Sequence, residues 1–318
     1  MTQYIIRRLV LMVPIAFLVT IIVFLLLRLS PGDPVLVYAG EEHDPQSLAA
    51  IRHSLGLDQP LPVQYAAWIT HALHGDLGHS IRTHEPVLSD IVQRLPATLE
   101  LGGAAIVLSV TVSLLVGTIS AMNRNSAVDL LATGFTLAGV SLPNFFLGLI
   151  LILVLGLALR LLPPGGYVPF VDDPLDNLRH LILPAITLAT ASTAVNLRQV
   201  RSALLDALGQ DYVRTARAKG LAERLVIVRH ALRNALIPVV TLIGIQVGGI
   251  IEGAFITETI FFWPGVGRLA VDSIGGRDYP VVQAIVLLSA LSYMSSTLLV
   301  DVLYAWLDPR ISYGAHAK

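Results

Sequence analysis

The sequence contains no cysteine. That absence excludes a disulfide framework, a thiolate metal site and a cysteine nucleophile, and it leaves the redox compartment open. Charge is also scarce: Asp, Glu, Lys and Arg make up 14% of the 318 residues, where soluble domains carry about 25%. Only two lysines occur, Lys219 and Lys318, and neither is followed by Ser or Thr. The Gly-x4-Gly-Lys-Ser/Thr loop that cradles nucleotide phosphates is therefore missing. The chain also lacks His-Glu-x-x-His and has no paired acids within its apolar runs. ATP hydrolysis and the zinc-protease reaction thus have no machinery here. A net charge of −1 gives no nucleic-acid signature.

What the chain does have is apolar length. Hydrophobic residues make up 54%, and the uncharged stretches come in blocks. About 20 apolar residues cross a bilayer core. Six runs approach or exceed that length: Leu9–Leu27, Leu101–Asn123, Leu131–Leu159, Leu181–Leu197, Ala235–Ile251 and Val281–Val300. The third is long for one span and short for two, and Pro143 inside it predicts a kink and a tilt. The first follows Arg7 and Arg8, as a signal peptide would. Its apolar run exceeds the usual length of about 7–15 residues, and Ser30–Pro34 is a poor cleavage site, so an uncleaved first helix is expected. With the N-terminus inside, the inner segments hold 13 of the 21 Lys and Arg. The outer side is net acidic. The positive-inside rule then puts both termini in the cytoplasm and makes the number of spans even. The expected fold is an all-α polytopic membrane protein with six transmembrane helices. Residues 1–97 form a first helix plus an extracytoplasmic segment, and 98–318 form a five-helix core.

The outer segment, Ser30–Ala97, carries its own helix signals. Asp44-Pro45 suits a helix start that Gly56 ends, and Pro62–Leu73 reads as a second helix bearing Trp68. A small folded cap between the first and second spans is the expectation. Phe261, Phe262, Trp263 and Pro264 fit ordinary anchoring at a membrane interface.

The longest inner loop, Arg201–Asn234, is more than a charged linker. Tyr212–Lys219 is rich in helix formers. Ala216 and Gly220 are four apart and share a face if the helix runs that far, and Gly220 permits a bend. Leu221, Leu225, Val228 and Leu232 form an apolar stripe at helical spacing. A short helix, a glycine turn and a second helix lying along the membrane are expected. Such a unit suits docking of a cytoplasmic partner; the alternative is a basic loop held against anionic lipid.

These residues resemble the cytoplasmic loop of ABC-importer permeases. That family's pattern is Glu-Ala-Ala, three residues, Gly, and then an apolar segment ending in Pro. Here Arg214-Thr215-Ala216 occupies the triplet and Gly220 falls at the expected spacing. Arg214 and Thr215 depart from the pattern, and Pro238 lies farther from the glycine than usual. DYVRTARAKGL followed by RHALRNALIPV is similar to the dipeptide/oligopeptide branch. So are RLSPGDP at Arg28–Pro34, GLDQPLPVQY, RLPATLEL, SLPNFFLG, ETIFFWPGVGRL, RDYPVVQ and LLVDVLYAWLDPRI. The start of the chain resembles the first of two paired permeases. The resemblance implies a type I importer architecture in the bacterial plasma (inner) membrane and half of a path for di- or oligopeptides. The implied partners are a second permease, two ATP-binding subunits carrying ATP and Mg, an extracytoplasmic substrate-binding protein and membrane lipid, but no nucleic acid. This chain itself would bind no cofactor. The ATPase-coupling residues would be Tyr212, Arg214, Thr215, Ala216, Arg217, Lys219, Gly220 and Leu221. Ala216 and Gly220 would make the close contact, while Arg214, Arg217 and Lys219 would pair with acids on the ATPase.

Two further features stand out. His71, His74, His79 and His84 cluster outside the membrane. Imidazoles bind zinc, nickel or copper, and nickel permeases belong to the same broad branch, but no carboxylate spacing completes a site. The histidines are read as solvated and no metal site is assigned. Glu252 directly follows the fifth run, near the outer end of the fifth span, flanked by Gly248, Gly249 and Gly253. An acid at membrane depth is a functional candidate, either facing the substrate path or pairing with an arginine. Import of nickel, glutathione or another small solute by the same architecture is the alternative reading. A stand-alone secondary transporter is a distant one, since internal repeats and midplane coupling acids are missing.

Overall fold

The computed structural model describes residues 2–29, 35, 39, 44–54 and 56–307. Most of RLSPGDP and the terminal charges Arg310 and Lys318 lie outside these residues. Among the described residues the regular structure is helical, joined by turns and loops, apart from one isolated antiparallel bridge, His79 to Pro86.

Four single helices are long and apolar enough to cross a membrane: α1 (Thr2–Leu29), α4 (Val87–Met122), α7 (Pro174–Leu208) and α12 (Tyr279–Leu307). Between α1 and α4 lie α2 (Pro45–Ser54) and α3 (Leu61–Leu73). The remaining two spans are bent pairs. The first is α5 (Ala127–Ser141) with α6 (Asn144–Leu151) and its π-helical continuation Ile152–Ala158. The second is α9 (Ile237–Gly248) with α10 (Ile250–Ile260). Six apolar passages result when each bent pair is one span. The first pair turns by 107°, far more than the kink and tilt expected at Pro143. Pro143 forces Leu142 into extended backbone at ψ 124°, so one helix ends and another starts. The second pair bends by 63° at Gly249.

The outer helices follow their signals. Asp44 accepts from the Ser47 amide at 3.1 Å to open α2, and Gly56 has φ +64° beyond its end. The second helix begins one residue before Pro62, at Leu61. It docks on α1 through Tyr65, which shares a 2.7 Å hydrogen bond with Thr20 and meets Phe24 edge-on.

The core of the bundle is α4 against α7. Both are roughly 50 Å long at 1.5 Å per residue, while the bilayer core is about 30 Å, so their ends project beyond it. Small residues set the approach, as they do between membrane helices generally. A Cβ on Gly117 of α4 would stand 3.0 Å from Val200 of α7. Gly244 and Gly248, four apart on α9, lie against α12, where Ser296 donates to the Gly244 carbonyl. α12 also carries α1, whose Arg8 pairs with Asp301 at 3.2 Å.

Polar contacts lock the ends. The Glu258 carboxylate is fully buried in the last turn of α10. It accepts from the Thr98 hydroxyl at 2.7 Å and the Arg268 amide at 2.9 Å, at the N-terminus of α11 (Val266–Gly275). Gly265 and Gly267 stand where any Cβ would strike Glu258. Trp263 is fully buried, with its indole N–H given to the Ala97 carbonyl at 2.8 Å, and Phe261 is 1% exposed. Only Phe262 of that aromatic run is exposed. The expected interfacial anchoring is thus corrected: Trp263 packs against α4, and Phe261 against Gly148 of α6 and the loop at Gly165.

Candidate functional site: a basic surface helix anchored to the spans

The loop after α7 folds as α8 (Asp211–Ala218) and a turn at Gly220. A short helical turn Glu223–Leu225, a π-helical stretch Val226–Ala231 and Leu232–Ala235 follow. Asp211 in the first turn and Arg217 in the last complement the helix dipole. The helix ends at Ala218, short of Gly220, so Ala216 and Gly220 do not share a helical face. Gly220 takes φ +76°, a left-handed conformation that lets its amide bond back to the Arg217 carbonyl at 2.9 Å.

α8 has two distinct sides. Val213 (0% exposed) and Ala216 (5%) face inward, three residues apart, into a cluster with Ala121 of α4 and Leu204 and Ala207 of α7. Val226, Ala231 and Ala235 close that cluster from the other side, and Leu221 is partly buried against it. Tyr212, Arg214, Thr215, Arg217, Lys219 and Gly220 are exposed. This arrangement redirects two expectations. Ala216 packs against its own chain, so the outward surface is the polar face of α8. The apolar stripe is Val226, Ile227, Ala231 and Ala235, while Leu225 and Val228 are exposed. The π-helical turn shifts the register of the buried face from the one that 3.6-residue spacing picks out.

Arg217 is already engaged. Its guanidinium makes two bonds to Glu223, at 2.5 and 3.1 Å, across the Gly220 turn. Those hydrogen bonds hold the Glu223 carboxyl below its usual range and raise Arg217 above its own. Arg214 reaches only Asp211, at 3.5 Å on an open surface. Of the cations on α8 and its turn, Arg214 and Lys219 are thus less committed than Arg217 among the described residues.

The support of α8 includes a polar lock that sequence inspection passed over. Asp129, 4% exposed, takes two bonds from Arg201 at 2.6 and 2.8 Å. It accepts a third from Ser120 at 2.6 Å and a fourth from the Asn125 amide at 2.9 Å. This joins α4, α5 and α7 about two turns before the end of α7 at Leu208. The available signal was the Ser126-x-x-Asp129 start of α5, a capping pattern. Arg201, the first residue of the inner loop by sequence, lies within α7 and is held by Asp129.

Between α4, α7, α9 and α10 lies a cleft of about 250 Å³, lined largely by small and apolar residues such as Gly102, Ala105 and Gly253, with Ser192 and Gln246. Gln246 forms a reciprocal amide pair with Asn196, at 2.9 and 3.3 Å, and Asn196 also reaches Ser109 at 3.1 Å. Glu252 is exposed in the first turn of α10, next to Gly253, and does not itself line the cleft. The polar groups nearest the cleft are therefore neutral.

Among the described residues, no three His, Asp or Glu side chains group closely enough to hold a metal ion. His71, His79 and His84 instead border a larger cleft on the end of the bundle opposite α8.

Comparison with known proteins agrees with this architecture. Residues 113–313 match the profile of the binding-protein-dependent transport system inner membrane component, and residues 1–102 match the N-terminal profile of the same components. The chain is 43% identical over 337 residues to the dipeptide transport system permease protein DppB of Escherichia coli K12, covering 98% of this chain and 99% of that one. It is 45% identical over 334 residues to the di/tripeptide transport system permease protein DppB of Pseudomonas aeruginosa UCBPP-PA14, with 98% and 99% coverage. It is 43% identical over 313 residues to the glutathione transport system permease protein GsiC of Salmonella typhimurium LT2, with 98% and 100% coverage. With near-complete coverage on both sides and helices disposed as a multi-pass membrane bundle, this chain belongs to the family of binding-protein-dependent transport system inner membrane components.

Proposed function

We propose that this chain is one of the two permease subunits of an ATP-driven importer of di- and oligopeptides, and that it forms half of the translocation path. Relatives named for dipeptide and di/tripeptide transport, at 43% and 45% identity, support the peptide class. A relative named for glutathione, at 43%, favours a second reading within the same architecture. ATP and Mg belong to two partner ATPases, and a substrate-binding protein delivers the solute from the outer side. Residues 1–97 contribute the first helix and the outer cap, and 98–318 the permease core. Both termini face the cytoplasm of a bacterial inner membrane.

The observation that carries the reading is the two-sidedness of α8. Val213 and Ala216 tie it to the ends of α4 and α7, while Tyr212, Arg214, Thr215 and Lys219 are exposed. A partner pressing on that outer face would move α7 with it, and α7 borders the cleft between the spans. Gly220 and the Arg217–Glu223 pair hold the turn beyond the helix in shape, and Leu221 seats it. Glu252 stands beside the cleft, within reach of a second permease packed on that side.

The test is charge reversal on the outer face. Arg214→Glu combined with Lys219→Glu is expected to lower uptake of a radiolabelled dipeptide at least tenfold, with membrane level and thermal stability unchanged. It is also expected to weaken co-purification of the ATPase. Wild-type uptake by that double variant would refute α8 as the coupling element.

A further inference from the structure

The end of the inter-span cleft nearer α8 is closed by a layer of neutral polar groups. On α4 the lining ends at Ile106, and Ser109 follows one turn on. On α7 it ends at Ser192, and Asn196 follows one turn on. α9 runs the other way, and Gln246 is the first of its residues on the cleft wall. Three helices thus bring a polar side chain to one level. Ser109 and Asn196 are fully buried. Gln246 Nε2 donates to Asn196 Oδ1 at 2.9 Å, and Asn196 Nδ2 donates to Gln246 Oε1 at 3.3 Å and to the Ser109 hydroxyl at 3.1 Å. Both protons of the Asn196 amide are therefore used. Because the pair is neutral, parting it strands no ion in the interior.

The two helices it joins are held differently. α7 packs on α4, with Val200 against Gly117, and carries α8 at its inner end. α9 rests on α12, where Ser296 donates to the Gly244 carbonyl. Three positions after Gln246 the chain turns by 63° at Gly249 into α10. Beyond that turn α10 is pinned to α4 by the bond from Thr98 to Glu258. A Cβ on Gly249 would meet nothing nearer than 3.8 Å, so the joint itself is not crowded. α9 is a separate rod, jointed at Gly249 and tied to α7 by the amide pair.

We propose that Asn196 and Gln246 are the inner latch of the translocation path, with Ser109 holding the Asn196 amide in place. Closed, the pair seals the cleft on the side of α8. It parts when α7 and α9 move relative to each other about Gly249, and the floor of the cleft opens. A push on α8 acts on α7, the helix that carries Asn196, so the latch lies in line with the coupling element. Both are positioning residues for transport, and the inference rests on the permease reading above. Glue between helices is the other use of such a pair in a membrane, and it answers differently to removal.

The experiment uses the assembled importer with its binding protein in proteoliposomes and measures tritiated Ala-Phe delivered per ATP hydrolysed. Asn196→Leu with Gln246→Leu removes both partners at similar volume, a change that proteins tolerate better than the loss of one. ATP hydrolysis and the unfolding temperature should stay near wild type, while peptide delivered per ATP falls at least tenfold, because solute slips back through an unsealed floor. Exchanging the residues, Asn196→Gln with Gln246→Asn, restores the amide pair and should recover at least half of the wild-type ratio. An unchanged ratio in the leucine variant overturns the latch and leaves glue. A second measurement keeps both amides. The chain has no cysteine, so Arg198→Cys and Val247→Cys, both exposed, place one spin label beside each partner in a complex whose other subunits are cysteine-free. Their separation should differ by roughly 5 Å, about one helical turn, between nucleotide-free and vanadate-trapped complexes. Equal distances in the two states overturn the inference whatever the leucine variant does. ATP-driven uptake by wild type with equal distances rejects only the latch, whereas a wild-type complex that neither hydrolyses ATP nor takes up peptide rejects the permease reading as well.

Discussion

Removing two methyl groups from Val213 should detach α8 without touching its outer face. Val213 is fully buried among Leu204, Ala207, Val226 and Ala231. Val213→Ala loses about 1.6 kcal/mol of transfer free energy at ~0.8 kcal/mol per methyl-sized group. The void left behind adds a few tenths more, giving roughly 2 kcal/mol. Local opening of α8 breaks these contacts and little else, so the penalty should fall almost wholly on that opening. At a factor of ten per 1.4 kcal/mol, amide hydrogen exchange across 211–218 should quicken roughly thirtyfold. Exchange in the body of α4 and α12 should not change. Peptide uptake should fall, because a helix that swings free transmits less of the push to α7. Arg214→Ala is the contrasting variant: its exposed side chain should leave exchange within about twofold, consistent with surface changes of within ~0.5 kcal/mol. If Val213→Ala left exchange in α8 unchanged, or quickened it equally throughout the bundle, the anchoring argument would be refuted.

Three further outcomes follow from the packing and the polar locks. Gly248→Ala would place a methyl 2.8 Å from the Ser296 Cβ and 3.2 Å from the Tyr293 backbone. It should cost about 1–3 kcal/mol and lower the melting temperature in detergent, whereas Gly103→Ala meets nothing within 4 Å and should not. Glu258→Gln leaves one acceptor oxygen where the carboxylate offers two, to the Thr98 hydroxyl and the Arg268 amide, so one buried donor loses its partner. A loss of about 1–3 kcal/mol is expected, read as a lower unfolding temperature that Thr98→Ser does not reproduce. Tyr167, in the loop before α7, is pushed up to about 12 by burial, by the nearby Glu100 charge and by its 3.1 Å hydrogen bond to Glu100. The folded value lies above the unfolded one, so this contribution is whole below about pH 10 and is lost as pH rises toward about 12. Melting curves should steepen their decline across that window in wild type, and Tyr167→Phe should remove the extra decline.

The apolar runs, the Asp44 cap, Gly56 and the glycine turn at Gly220 were legible because each is a local matter of solvent transfer or backbone freedom. Pro143 was legible as a disturbance but not as a 107° turn, because the angle depends on what α5 and α6 pack against. The buried stripe after Gly220 was misread because a π-helical turn changes the residues per turn, and no composition rule announces it. Glu258, Asp129 and Asp278 were invisible as a group. Each is an ordinary acid in sequence, and each finds its partners through the tertiary fold: Glu258 reaches Thr98 160 positions away, and Asp278 reaches Ser80 198 positions away. Trp263 illustrates the same limit. An aromatic near a span end fits an interface anchor and a core residue equally well until its neighbours are known.

That burial gives the protein its own optical gauge. Tryptophan occurs three times, at 68, 263 and 306. Trp263 is shielded, its indole N–H is tied to Ala97, and its ring meets Tyr167 edge-on at 4.7 Å. Its emission should be blue-shifted while α4 and the turn after α10 remain in contact, and should move to the red when water reaches the ring. With Trp68 and Trp306 replaced by phenylalanine, fluorescence from this single indole would follow, in real time and without a label, whether that end of the bundle stays closed as the spans rearrange.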